Sequence, residues 1–225
     1  MKVLLVFRGD YNLVTDPTFV CNNIQKYITE PMKENNIGVD IIFCTYKSNL
    51  DKLKIYELSL KPNKIYFTSN GQIINFKESL TLVKDMHCLY DYVIFLRFDA
   101  IYKTDINKWN IFNREGVTLP FKEDSEGLFN SHGFYSDIII IIHKLSFLDV
   151  VNSVTHAGLD MFPCNTLHAI GTIIKKQYSD IKINTILDGY YQSNTQYPSD
   201  DIRLSPLHIL VKYPYSGSDK HLFFP

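Results

Sequence analysis

Tyr90-Asp91-Tyr92-Val93-Ile94-Phe95-Leu96-Arg97-Phe98-Asp99 is an apolar run that ends abruptly in charge. A continuous Val/Ile/Phe/Leu stretch of this kind reads as a strand buried on both faces, as in the middle of a parallel sheet. It delivers the Asp99 carboxylate where the chain leaves the sheet. A hard divalent cation takes carboxylate oxygens at such a rim, together with diphosphate oxygens and waters. The same residues admit a second reading, in which Asp99 caps a turn and Arg97 pairs with it, because Asp is common at strand ends.

Upstream, Val3-Leu4-Leu5-Val6-Phe7 is a second run of the same character, closed by Arg8-Gly9-Asp10. It is too short for a signal peptide and reads as the first strand. Phe19, Val20, Ile24, Tyr27, Ile28 and Met32 then recur at helical spacing behind Asp16-Pro17, a cap followed by a proline at the first helical position. Val39–Tyr46 is a strand, Leu50–Leu60 a helix, and Lys64–Thr68 a strand ending at Ser69-Asn70-Gly71. Phe76–Leu89 is helical, with Phe76, Leu80, Val83 and His87 on one stripe. This alternation predicts a doubly wound α/β sheet, in which ligands bind beyond the carboxyl ends of the strands. Arg8-Gly9, Ser69-Asn70 and Arg97-Phe98-Asp99 then share one rim.

The second half reads as a strand at Val117–Pro120, an acidic loop at Lys122–Asn130, a strand at Tyr135–Ile142, and helices at Lys144–Ser153 and Asn165–Gln177, the latter capped by Asn165. Ile181–Ile186 is a late strand. The tail after Gln192, rich in Ser, Asn, Pro and Tyr, is loop-like. No repeat or linker divides the 225 residues, a length that suits one large domain of about 100–200 residues or somewhat more.

Lys+Arg 23 against Asp+Glu 24 removes the general basic field of a nucleic-acid binder. The longest apolar candidate for a membrane span, Ile138 to Ile142, falls far short of the ~18–20 residues required. Cys21, Cys44, Cys88 and Cys164 lie far apart with no zinc spacing, so they read as reduced, buried thiols of a cytoplasmic protein. The chain has no G-x-x-x-x-G-K-[ST], G-x-G-x-x-G or G-x-S-x-G, so kinase, dinucleotide-oxidoreductase and esterase readings lack their motifs.

Tyr90–Ile94 running into Arg97-Phe98-Asp99 resembles the metal-site strand of nucleotide-sugar-dependent glycosyltransferases of the GT-A fold, in its R-x-D variant. Val3–Gly9 is similar to that family's opening strand and R-G turn, Phe76–Ser79 to the helix before the metal strand, and Tyr135-Ser136-Asp137 to the later S-D strand. The resemblance spans about the first two-thirds of the chain, and it departs from the family's D-x-D in carrying Arg97 for the first Asp. It implies a single GT-A domain with a Rossmann-like, mostly parallel sheet flanked by helices. The nucleotide half is about 1–100 and the acceptor half about 101–225. The implied activity is transfer of a sugar from a nucleotide-sugar donor, most often UDP-linked, to a glycan or other hydroxyl acceptor, with Mn2+ or Mg2+ assisting. A binding module without turnover, or a nucleotidyltransferase, would share such a crevice.

The resemblance also implies site residues. Phe7, Arg8 and Gly9 lie near the nucleotide with Arg97, Phe98 and Asp99, the glycine letting the backbone approach and the arginines offering charge-assisted hydrogen bonds. Lys77 and Lys84 are alternatives for the diphosphate. Asp99, and His208 from the C-terminal part, hold the metal; a partly buried histidine on a short strand is the plainer reading of His208. An inverting transfer needs a base, for which Asp137 and Asp160 are the candidates. Glu123-Asp124-Ser125-Glu126 reads as a solvated face or a lid over acceptor, and His132 as an acceptor contact.

Overall fold

The computed structural model describes residues 1–14, 16–123, 126–162, 167–192 and 204–210. In chain order its strands are β1 (Lys2–Gly9), β2 (Gly38–Thr45), β3 (Lys64–Phe67), β4 (Tyr92–Arg97), β5 (Ala100–Tyr102), β6 (Val117–Leu119), β7 (Lys122–Glu123), β8 (Ile139–His143), β9 (Ile183–Thr185), β10 (Tyr190–Tyr191) and β11 (His208–Leu210). The helices are α1 (Pro17–Ile24), α2 (Glu30–Glu34), α3 (Leu50–Leu60), α4 (Gln72–Val83), α5 (Glu126–His132), α6 (Phe147–His156) and α7 (Ile170–Gln177).

Seven strands form the central sheet in the order β3-β2-β1-β4-β8-β6-β9. All neighbours are parallel except β8, which runs antiparallel between β4 and β6. The apolar runs are continuous because both faces are covered. Val3, Leu5 and Phe7 of β1 face a core shared with α1, α2 and α3, while Leu4 and Val6 face one shared with α4, α6 and α7.

Local chemistry sets the helix limits. Asp16 accepts a hydrogen bond from the Phe19 amide at 3.0 Å ahead of Pro17, as its spacing predicts. The single helix expected through Met32 is broken into α1, a π turn at Gln25–Thr29 and α2. Pro31, at the start of α2, has no N–H with which to continue the α ladder. α4 begins at Gln72, four residues before the expected Phe76, and tightens into a 3-10 turn over Lys84–Leu89.

In the second half, Lys122–Asn130 is not a loop: it supplies β7 and most of α5. β8 starts at Ile139, with Tyr135 bridged to Lys122 ahead of it. α7 starts at Ile170 behind a 3-10 turn, and Asn165 lies outside the described residues, as does Cys164. Cys21 and Cys44 are buried as expected, but Cys88 is exposed, since it sits on the 3-10 turn that leaves the helix surface. In the C-terminal part, β11 pairs antiparallel with β5, setting His208 opposite Tyr102. Among the described residues no helix is long and apolar enough to cross a membrane.

The order of the sheet positions the site. From β1 the chain builds outward through β2 and β3, then returns to lay β4 on the other flank of β1. The topological switch point therefore falls between β1 and β4, where a crevice opens beyond the strand ends. Arg8 and Arg97 are register partners there. The antiparallel β8 begins at this same rim, which brings Asp137, two residues before it, into the crevice.

Candidate functional site

Asp137 is the centre of the rim. It is buried, and its Oδ2 accepts hydrogen bonds from Arg8 Nη2 at 3.3 Å and from Gln72 Nε2, while its backbone carbonyl also accepts from Arg8. Arg97 Nη1 stands 3.9 Å from Oδ1. Burial alone would raise the Asp137 pKa, but the charges of His168, Arg8 and Arg97 outweigh it and hold the carboxyl at about 2. Such an acid is ionised at neutral pH and is the buried counter-ion of Arg8.

Arg8 is neither a solvated cation nor open to a ligand. Its side chain is 1% exposed and lies over the Phe76 ring at 5.3 Å. Arg97 is 13% exposed and forms a fork on Asp99, donating from Nε to Oδ1 and from Nη2 to Oδ2, both at 2.8 Å. Of the two sequence readings of Arg97-Phe98-Asp99, the paired one is what the side chains adopt. Both Asp99 oxygens are thereby engaged, and among the described residues no three His, Cys, Asp or Glu side chains gather into a cation site. With Asp99 held by Arg97 and His208 stacked on Phe121, the Mn2+ or Mg2+ expected on them meets no assembled set of three protein ligands among the described residues.

His208 is fully buried and stacks on Phe121 with centroids 5.7 Å apart, and neither ring nitrogen has a hydrogen-bond partner. Burial, then the charges of Lys103 and Arg97, push its pKa down to about 3, so it is neutral. The short strand expected for this histidine is present, but the ring is fully rather than partly buried. Lys103 itself donates to the Ser205 carbonyl at 2.9 Å.

Two rim residues have no counterpart in the sequence reading of the site. Gln72 was missed because the helix start was set late; a glycine-led turn into a helix at a strand end was the available signal. His168 Nδ1 pairs with Glu123 Oε2. Burial would lower the His168 pKa, but the hydrogen bond and charge of Glu123, with Asp137 beyond, raise it to about 9. Glu123, which the sequence places on a solvated face or a lid over acceptor, is buried, because β7 carries it inward to this partner. No spacing rule connects residues 45 apart. Asp124 and Ser125 lie outside the described residues.

The remaining candidates separate from the rim. Phe7 and Phe98 are fully buried and pack on each other at 5.7 Å, with Phe43 and Tyr56 closing on Phe98 at 5.1 and 5.0 Å. They are core residues, and their rings are not offered to a nucleotide. Gly9 sits at φ +94, a conformation that glycine adopts freely, and its carbonyl accepts from Thr45 Oγ1 at 2.6 Å. Lys77 donates to the Ala157 carbonyl at the end of α6 and lies over the Phe162 ring, away from Asp137's partners. Lys84 follows the last residue of α4, about 18 Å along the helix from its start at the rim, and is exposed there. Asp160 is exposed on the turn after α6 and is not among the charges acting on Asp137. His132 is exposed at the end of α5 and stacks on Phe134.

This sheet order, mostly parallel with helices on both faces, matches that of solved structures with a GT-A-like fold. Among solved structures, the 4-diphosphocytidyl-2C-methyl-D-erythritol synthase of Anaerococcus prevotii superposes with a TM-score of 0.58 at 11% identity, covering 85% of this chain and 90% of its own. A putative glucose-1-phosphate thymidylyltransferase of Bacillus anthracis gives 0.50 at 12% identity, covering 85% and 87%. A glycosyltransferase involved in glycosylation of the major capsid of PBCV-1 gives 0.49 at 9% identity, covering 93% and 92%. At these identities the likeness is one of fold. No protein-family model matches the chain, and no curated protein matches it.

Proposed function

We propose that the chain is a cytoplasmic glycosyltransferase that moves a sugar from a nucleotide-sugar donor, in the first instance UDP-linked, to a glycan or other hydroxyl acceptor. The observation that carries this reading is the convergence of Arg8, Arg97, Asp99 and Asp137 on the switch point between β1 and β4. Open α/β sheets take their ligands at this point, and cations there oppose the charge that develops on a leaving diphosphate. Donor and leaving group belong to the β1–β4 side, and the acceptor to the side built by residues after about 101.

The test is incubation of the protein with a panel of nucleotide sugars and a hydroxyl acceptor, reading free nucleoside diphosphate. Acceptor-dependent release supports transfer. Tight binding of donor without release under any acceptor would make the chain a binding module, and release of none with binding of none would sink the reading. A second reading, nucleotidyl transfer, is favoured by the likeness to the thymidylyltransferase fold and predicts pyrophosphate as the product from a nucleoside triphosphate and a sugar phosphate.

A further inference from the structure

Two arginines occupy one register position at the switch point. Arg8 on β1 and Arg97 on β4 are Cα partners, and neighbouring strands lie about 4.8 Å apart. Like charges so close repel, and the fold sets carboxylates against both: Asp137 on Arg8 and Asp99 on Arg97. The two arginines differ in access. Arg8 is sealed beneath the rim at 1% exposure, whereas the Arg97 side chain is 13% exposed, its guanidinium plane held by the double hydrogen bond to a carboxylate that is itself buried. A guanidinium fixed in this way is prepared for bidentate recognition of phosphate oxygens. The first turn of α4 opens on the same rim with no side-chain cap at Gly71, so its backbone N–H groups favour an anion there too.

We propose that Arg97 binds the diphosphate of the ligand directly, without a bridging divalent cation, and that Asp99 is the positioning partner of Arg97 rather than a metal ligand. The inference rests on the nucleotide-sugar reading above and deepens it. A cation on Asp99 would share its two oxygens with a guanidinium already forked on them, like charge against like charge. Among the described residues, Arg97, Arg8, Lys103 and His168 stand there against Asp99, Asp137 and Glu123, one positive charge in excess, which suits an anion.

The experiment is isothermal titration of the whole chain with UDP and, separately, with inorganic pyrophosphate, each in EDTA and each in Mn2+. Both ligands are expected to bind in EDTA with the affinity seen in Mn2+, and to bind more weakly as salt rises. Arg97→Gln is expected to weaken both by roughly 10–100-fold, the factor for losing a charge-assisted hydrogen bond. Because that variant strands Asp99 without its cation, Arg97→Gln/Asp99→Asn is measured beside it; this pair removes both charges and is expected to show the same loss. Binding that appears only with Mn2+, or parent-like affinity of the folded double variant in EDTA, overturns the proposal. UDP bound only with Mn2+ leaves the nucleotide reading standing while the metal-free site falls. Pyrophosphate bound in EDTA without any UDP binding does the reverse, and binding of neither ligand in either buffer removes both.

Discussion

Replacing Asp137 by Asn removes one negative charge from the centre of the rim while keeping the shape of the side chain and the backbone carbonyl that Arg8 also uses. The size of the effect follows from the acidity of the carboxyl. Its pKa of about 2, against the ordinary 3.8, already nets the cost of burial against the attraction of His168, Arg8 and Arg97. At ~1.4 kcal/mol per pH unit the difference is worth about 2 kcal/mol of folding free energy at pH 7. The sign is that of a depressed acid: the contribution is present above the unfolded value near 4 and is lost as pH falls through about 2. Urea denaturation of parent and variant at pH 7 and at pH 3 reads it directly. The variant is expected to be less stable by about 2 kcal/mol at pH 7 and by roughly half that at pH 3, where the unfolded carboxyl is already protonated and the folded one is not. A deficit of the same size at both pH values would refute the electrostatic account, and so would a variant as stable as the parent at pH 7.

Other substitutions test neighbouring parts of the argument. Glu123→Gln removes the main cause of the raised His168 pKa, so the ring's NMR titration midpoint, expected at about 9 in the parent, should move down toward its ordinary 6.5; a parent midpoint near 6.5 would show that the pair does not exist in solution. Any stability that this pair supplies is complete below pH 6.5 and fades as pH rises through 9. Phe98→Ala opens a hole among Phe7, Phe43, Tyr11 and Tyr56 and should cost ~3–5 kcal/mol in chemical denaturation, whereas a small stability change with lost nucleotide binding would return Phe98 to the site. His208→Phe replaces two buried, unpartnered nitrogens next to Phe121, so it should be neutral or stabilising by up to ~1–3 kcal/mol; clear destabilisation would mean that the ring nitrogens have a partner after all.

Much of the first hundred residues was legible in the sequence because its signals are local. Apolar runs such as Val3–Phe7 and Tyr92–Leu96 can be satisfied only by burial on both faces, and their alternation with helical stretches leaves a doubly wound sheet as the economical solution. Asp16-Pro17 marks a helix start by capping chemistry that involves residues within one turn. From these, the rim holding Arg8, Arg97 and Asp99 follows without coordinates. What the sequence could not carry was the distant partner of a charged group. That Arg8 is sealed beneath Asp137 and that Glu123 finds His168 depend on strand register and on the insertion of the antiparallel β8 between β4 and β6, whereas the Arg97–Asp99 pair, two residues apart, was open to a sequence reading. Phe7 and Phe98 are indistinguishable in sequence from aromatic rings offered to a base, and only the packing of α1 and α3 on that face buries them. Periodicity reports which side of an element is apolar. The electrostatic role of a charged residue is set by groups far away in the chain, so it exists only once the fold has brought them together.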